Sequence, residues 1–403
     1  MTEIKRILIV AYSFPPQGGI GGRRWAKFAK QMQRSGFEVE VVSADLPEAA
    51  DSPWTADVKG ISVFRFNTSF PKSLKTQPAR LIDKVRYRMA LRKMVWKTKG
   101  TPYDRAALDQ LAFRSLFSQR MEKFHPDVVI ATGAPFDLLY FTAKELSNHP
   151  DLLSLADLRD PWVNGSAFGY SALSERRLKI EREKEAKVVD TFDLVTMPWP
   201  ENIAELKQRH PDHTEKLAVL PHFFDGDDIK AGGKVESPPD LIYGGAIYDG
   251  LESTLAELSA FAKANGLKTE IRTSSRVEAS IQNEHFKVLP PLASKDFFAR
   301  VKASRFSLLF LPEGKRYGLT KLYELAACNK PILAIGKESN LSETIEKNTL
   351  GSFVRADHLT EDLAKAIGKE KSFSPNKEWS ENYSLSKITS DLMDLLKRKL
   401  NEK

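Results

Sequence analysis

Lys321-Leu322-Tyr323-Glu324-Leu325-Ala326-Ala327, followed by Lys330-Pro331-Ile332-Leu333-Ala334, is the stretch that decides the fold. It lies between two short apolar runs, 305–311 and 331–335, which read as buried parallel strands. Between them the sequence predicts a loop and then a short helix. A carboxylate near the start of a helix and next to a lysine suits a nucleotide. The acid accepts hydrogen bonds from a ribose diol, while the lysine and the first helical N–H groups face a diphosphate. Thr320, Lys321 and Glu324 are the residues this reading selects. The plainer reading makes Glu324 one exposed helical acid among many.

The same pattern of strand, loop and helix extends outward in both directions. Residues 7–11 are apolar and β-prone, and a glycine-rich loop follows. Helical spacing (Trp25, Phe28, Ala29, Met32) then runs to Ser35-Gly36. Further strands are expected at 38–43, 61–66, 128–131, 152–158, 193–197 and 218–220, with helices at 107–124 and 136–146. The 107–124 helix is expected to bury Leu108, Leu111, Ala112, Leu116 and Met121. After a polar segment with Ala231-Gly232-Gly233 and Pro238-Pro239, the pattern restarts: strand 241–243, turn Gly244-Gly245, helix 253–265, strand 269–273. A last helix is expected at 384–400. Strands alternating with helices indicate parallel, doubly wound sheets of the α/β class. The domains expected are 1–225 with a basic insert at 72–105, a linker at 226–238, 239–376, and a C-terminal helical segment 377–403 that crosses back to the first domain.

A chain of 403 residues, 41% hydrophobic and 28% charged, has room for two or three globular domains. The single cysteine, Cys328, excludes an intramolecular disulfide and a cysteine-based zinc site, and fits a reducing cytosol. The apolar run after Lys5 and Arg6 is too short for a signal-peptide core, and no run has the roughly 20 apolar residues needed to cross a bilayer. No His/Asp cluster has metal-ligand spacing. Charge is uneven. The segment 72–105 holds eleven Lys/Arg against Asp83 and Asp104, a net of +9, which leaves the rest of the chain at −1 out of a total of +8. One basic insert on a near-neutral protein argues against a nucleic-acid binder.

Pro15-Pro16-Gln17-Gly18-Gly19-Ile20-Gly21-Gly22-Arg23-Arg24 joins the first strand to the first helix. Glycines there let backbone N–H groups approach a phosphate or sugar, and the two arginines add charge. Gly19-Ile20-Gly21 matches the first half of a dinucleotide fingerprint and Asp45 ends the second strand, so a nicotinamide or flavin protein is an alternative; Arg24 occupies the last glycine position. The glycines also suit a tight turn before a packed helix.

Several motifs, taken in order, resemble one family across almost the whole chain. These are Phe14-Pro15-Pro16 with Gly18-Gly19 and Arg23; His125-Pro126-Asp127 before Val128-Val129-Ile130; Asp157-Leu158-Arg159-Asp160-Pro161-Trp162; Leu220-Pro221-His222; and Tyr243-Gly244-Gly245. Together with the Glu324 element they are similar to bacterial polysaccharide glycosyltransferases of family 4. That resemblance implies the GT-B fold, two Rossmann-like doubly wound domains facing a cleft. It implies a nucleotide-diphosphate sugar as donor, no cofactor or metal, retention of anomeric configuration, and a glycan or lipid-diphosphate-linked acceptor. It places the protein in the bacterial cytoplasm, peripheral on the inner face of the plasma membrane. A nucleotide-sugar epimerase on the same fold and a non-catalytic sugar-nucleotide-binding protein are the alternatives.

The chain also departs from the family. Many members carry two glutamates seven residues apart; the second matches Glu324, but the first falls on Arg316, with Glu313 nearby. The Arg and Lys that many members place after the second-domain glycine turn are replaced by Asp249-Gly250-Leu251-Glu252. Gly244, the Gly245 N–H, Lys321 and Arg316 are therefore the candidates for the diphosphate.

Asp157, Arg159 and Asp160 follow a strand, where the active-site loops of parallel sheets lie. Asp160 suits orienting an acceptor hydroxyl, and Arg159 suits pairing with it or with phosphate; the alternative is a buried Arg–Asp pair that ties down the loop, with Trp162 in the core. His125 and His210 read as loop surface, and His222 as the histidine to test. In the basic insert, Ile82, Val85, Met89 and Trp96 form an apolar stripe among Arg86, Arg88, Arg92, Lys93 and Lys97. Such a helix suits an anionic membrane surface, with Arg88, Arg92, Lys93 and Trp96 in contact; the alternative packs the stripe on the first domain.

Overall fold

A computed structural model of the chain describes residues 3–16, 20–46, 54–74, 80–165, 170, 172–230, 233–311 and 320–403. The chain divides into two compact units, Met1–Pro221 together with Thr389–Lys403, and His222–Ile388.

The first unit is built on seven parallel strands: β1 (Arg6–Ala11), β2 (Glu38–Asp45), β3 (Ser62–Asn67), β4 (Val128–Thr132), β5 (Leu153–Asp157), β6 (Leu194–Met197) and β7 (Leu217–Val219). Their order is β3-β2-β1-β4-β5-β6-β7, so the winding reverses between β1 and β4. Register pairs Ile9 with both Val41 and Ile130, and Asp157 with both Thr132 and Thr196. Residues of β1, β4 and β5 are buried without alternation, because helices cover both faces of a doubly wound sheet. The helix Ile20–Arg34 packs on β1 and β2 and ends at Gly36, whose φ of +90° is the left-handed conformation that favours glycine.

The second unit has six parallel strands: β8 (Leu241–Gly244), β9 (Thr269–Arg272), β10 (Phe286–Leu289), β11 (Phe306–Phe310), β12 (Ile332–Gly336) and β13 (Gly351–Arg355). Their order, β10-β9-β8-β11-β12-β13, reverses between β8 and β11. The two apolar runs that framed the sequence reading are β11 and β12, paired Ser307↔Ile332 to Phe310↔Ile335. Leu308 and Phe310 join one core cluster while Leu309 joins another, so successive side chains fill opposite faces of the same sheet. That two-sided burial is why the run is continuously apolar. Gly226–Ile229 is a short helix of this unit that packs on the helix Ser294–Ala303.

Two expectations and one alternative differ from what is observed. The predicted helix 107–124 is observed as Gln110–Phe124, but it buries Phe113, Phe117, Arg120 and Phe124, while Leu111 is 81% exposed. The stripe is shifted because Arg120 turns inward, donating to Glu40 at 2.7 and 2.9 Å and lying over the Phe64 ring. His210 is not loop surface: its Nε2 sits 3.1 Å from the Glu185 carboxylate, which also takes two bonds from Arg209. The apolar stripe of the basic helix Leu81–Lys97 does not pack on the first unit; Ile82, Val85, Met89 and Trp96 are all exposed.

Candidate functional site

In the first unit the C-terminal ends of β1, β4 and β5 converge, as at the switch point of any doubly wound sheet. Asp157, the last residue of β5, is fully buried. Its Oδ2 accepts from Arg24 Nε at 3.0 Å and Trp25 Nε1 at 2.7 Å, and its Oδ1 from Thr196 Oγ1 at 3.1 Å. The remaining Arg24 nitrogens donate to the carbonyls of Leu220 (2.7 Å) and Pro221 (3.0 Å). A carboxylate so occupied fixes the first helix to the middle of the sheet. The buried arginine partner of Asp157 is Arg24, from the first helix, and not Arg159 of the motif.

Arg159 spans three loops. With φ at +54°, it donates from Nε to Gly133 O, from Nη1 to Gly21 O at 2.8 Å and from Nη2 to Ala134 O at 3.2 Å. Burial lowers its pKa, opposed by the charges of Asp160 and Asp157. Gly21 and Gly22 open the first helix. A Cβ on Gly22 would lie 2.7 Å from Ser13 O, and one on Gly21 would lie 3.0 Å from Arg159 Nη1. These two glycines therefore admit close protein packing. Arg23 is half-buried with its guanidinium 5.9 Å from the Trp54 ring. Gly18 and Gly19 lie outside the described residues. Asp160, like Arg159 and Pro161 on either side of it, is partly exposed.

Trp162 closes the motif in the core. It stacks on Phe136 at 4.8 Å and 10°, and its Nε1 donates to Glu181 at 2.9 Å. Glu181 belongs to a buried cluster that sequence reasoning missed. Lys184 donates to Asp137 and to Glu181 (3.0 Å), and Glu181 accepts from Thr101 N at 2.8 Å. Asp104 Oδ2 takes the Phe136 and Asp137 N–H groups at 2.7 and 3.1 Å, capping the helix Phe136–Leu146. Burial, and then the Asp137 charge, push the Asp104 carboxyl up to about 8.

In the second unit, Thr320 and Lys321 open the helix Thr320–Ala326, and Glu324 sits in it, 5% exposed. Lys321 Nζ lies 4.9 Å from the centre of the Phe297 ring. That ring occupies the space above Gly244, where a Cβ would come within 2.3 Å of it. Phe297 thus joins the end of β8, at Gly244, to the helix that carries Lys321 and, one turn on, Glu324, at the β8/β11 reversal. Gly245 does not offer its N–H to a phosphate, because that group donates to Arg272 O at 3.0 Å as part of the sheet. Arg316 and Glu313, expected beside this site, lie outside the described residues. A pocket of 640 Å³ lies beyond β8 and β9, lined by Ile247, Glu252, Leu255, Arg276, Ala279 and Ser280 among others. It does not include Glu324 or Lys321. The charge of Arg276 makes it a further candidate contact that spacing alone did not single out.

Arg88, Arg92, Lys93 and Trp96 are all exposed on the helix Leu81–Lys97. Among the described residues no group of three or more His, Cys, Asp or Glu has the geometry to hold a metal ion. Among them, too, no helix is long and apolar enough to cross a membrane.

Comparison with known proteins follows the architecture rather than the sequence. Two parallel-sheet α/β units of seven and six strands define the GT-B class. No protein-family model matches the chain, and no curated protein matches its sequence. Solved structures do match over the full length. A glycosyltransferase from Rickettsia africae is similar with a TM-score of 0.64 at 12% identity, covering 100% of both chains. Sucrose-phosphate synthase from Thermosynechococcus elongatus follows with a TM-score of 0.61 at 12% identity, covering 99% of this chain and 100% of that one. A UDP-GlcNAc 2-epimerase from Neisseria meningitidis, solved bound to UDP-GlcNAc, has a TM-score of 0.57 at 10% identity, covering 98% and 100%.

Proposed function

We propose that this chain is a metal-independent, hexosyltransferase-like glycosyltransferase. It moves a sugar from a nucleotide-diphosphate sugar to a glycan or lipid-diphosphate-linked acceptor of a bacterial surface polysaccharide, with retention. It works in the cytoplasm, peripheral on the inner face of the plasma membrane. The observation that carries this reading is the packing of Phe297 against both Lys321 and Gly244 at the chain reversal of the second unit, with Glu324 buried one turn further along the helix that carries Lys321. Ligands of open α/β sheets bind beyond the carboxyl ends of strands at such a reversal. Glu324 takes the ribose diol in charge-assisted hydrogen bonds. Lys321 faces the diphosphate and offsets the charge that the leaving group gains in the transition state. Arg316, in the segment leading into that helix, is a second cation for the same group. In the first unit Asp160 orients the acceptor hydroxyl, Arg159 ties its loop to the segments after β1 and β4, and Asp157 anchors the first helix.

A second reading, a nucleotide-sugar epimerase, draws support from the Neisseria meningitidis neighbour. The test is thermal-shift screening against nucleoside diphosphates and their sugars, repeated on Glu324→Ala. A ligand at 100 times its Kd stabilises by roughly 2.7 kcal/mol. Loss of charge-assisted bonds predicts about 10- to 100-fold weaker binding by the variant. Unchanged affinity removes Glu324 from the site. A responding sugar nucleotide that changes into its epimer without any acceptor makes the chain an epimerase.

A further inference from the structure

The helix Leu81–Lys97 has two apolar faces. At about 100° per residue, Asp83, Tyr87, Ala90, Leu91 and Met94 fall on one side, and all are buried or half-buried. Ile82, Val85, Met89 and Trp96 fall in a sector about 60° wide on the opposite side. They are 59%, 51%, 67% and 84% exposed. Arg86, Lys93 and Lys97 run along one edge of this outer stripe, and Arg88 and Arg92 along the other. All five cations are exposed.

The helix is held in this orientation. Arg177 donates to the carbonyls of Val95 (2.6 Å), Thr98 (3.0 Å) and Gly100, at the end where a helix leaves its C=O groups unsatisfied. Thr98 closes the last turn through Oγ1 to Met94 O at 2.8 Å. The outer stripe is therefore a fixed surface and not the flank of a rolling helix.

We infer that this outer face docks on an anionic lipid bilayer, with Ile82, Val85, Met89 and Trp96 entering the acyl boundary and the two rows of cations lying at the phosphates. The chemistry selects the partner. An apolar stripe between cationic rows fits a phase that is apolar below and anionic at its rim. Nucleic acid offers phosphates but no apolar layer for Met89 and Val85, and the rest of the chain, at −1, supplies no wider basic face. A second copy would bring six Lys/Arg and one acid on each helix 81–97 against the same charges. The inference deepens the transferase reading by naming the surface from which a lipid-linked acceptor is reached, and it rests on that reading for its purpose only.

The test is co-sedimentation of the full chain with phosphatidylglycerol-containing vesicles and with pure phosphatidylcholine vesicles, without nucleotide. Binding to the anionic vesicles, weakened by salt, is expected. Reversal of three cations (R88E/R92E/K93E) is expected to reduce the partition coefficient by at least about 100-fold. M89S/W96S is expected to reduce it by more than about 10-fold while leaving the thermal melt unchanged, since both side chains are solvent-exposed. Absence of binding by the folded wild type, or binding indifferent to M89S/W96S, overturns the inference. So does a wild-type dimer in sedimentation equilibrium that M89S/W96S dissolves, because the face would then be a self-association surface. Nucleotide thermal shifts measured on the same preparations separate the two readings. Vesicle binding lost with nucleotide response retained sinks the docking alone, and the converse sinks the transferase alone.

Discussion

Asp157→Ala removes the acceptor on which the first helix of the chain is anchored. Three donors lose their partner: Arg24 Nε, Trp25 Nε1 and Thr196 Oγ1, at 3.0, 2.7 and 3.1 Å. The Arg24 and Asp157 side chains are 5% and 0% exposed, so no water replaces the carboxylate without a cavity opening. Breaking a buried pair by removing one partner costs about 3–5 kcal/mol. A buried indole N–H left without acceptor adds about 1 kcal/mol or more. The expected loss, about 4–6 kcal/mol, is a large share of the 5–15 kcal/mol that stabilises a typical domain. Asp157→Asn is milder. Its oxygen still accepts from Arg24 and Trp25, and its NH2 can donate to the Thr196 hydroxyl, so only the charge is lost, about 1–2 kcal/mol. Urea unfolding, with calorimetry to resolve the first unit's transition, measures both. A loss below about 1 kcal/mol for the alanine variant would refute the anchoring argument. A folded Asp157→Asn protein with wild-type stability and no turnover would instead put the carboxylate in the chemistry.

Other consequences follow from the same description. Phe117→Ala should cost about 3–5 kcal/mol and Leu111→Ser less than about 0.5 kcal/mol, although hydropathy ranks the two alike; equal losses would show the helix Gln110–Phe124 turned the other way. Asp104 gives a pH effect whose sign can be worked out. An unfolded Asp releases its proton near 3.8, while the buried one holds it to about 8. Between these values the folded state binds more protons, so stability falls as pH rises through the window. Asp104→Asn should flatten that slope in Tm measured across the window, and an unchanged slope would assign it to other groups. Glu185 works in the opposite sense. Burial raises its pKa, but the bonds from His210 and Arg209 outweigh that and hold it low, so its stabilisation is lost on acidification. Glu185→Gln should reduce the fall of Tm at acid pH.

Legibility in the sequence tracked how far each element's burial depends on partners distant in the chain. The runs that became β11 and β12 were readable because both faces of a central parallel strand are apolar. The edge strands β10 and β13 were not, since Lys287 and Arg355 are exposed in them and hydropathy has little to report. The helix Glu175–Thr191 escaped for a different reason: its buried positions are Glu181, Glu185, Val188 and Val189, and two of these four look like surface. Their partners, Trp162, Lys184, Arg209 and His210, make the burial tolerable, and no local pattern announces them. At the sites, the position of Asp157-Leu158-Arg159-Asp160 at the end of a strand was readable. Which arginine met Asp157 was not, because Arg24 lies 133 residues away. Likewise Glu324 and Lys321 were singled out by their place near a helix start and by the family resemblance, while Phe297, the ring that ties Lys321 to Gly244, gave no local signal.

One guanidinium holding the carbonyls of Gly21, Gly133 and Ala134 has an evolutionary corollary. The segments after β1, β4 and β5 share a single fastener, so a change in the path of one is felt by the other two. A lysine at position 159 could reach one of these oxygens but not all three, having a point charge where arginine has a planar fork. Drift in any of the three segments should therefore be compensated in its neighbours, and a donor of new specificity grafted into this unit would have to bring all three segments together as a set.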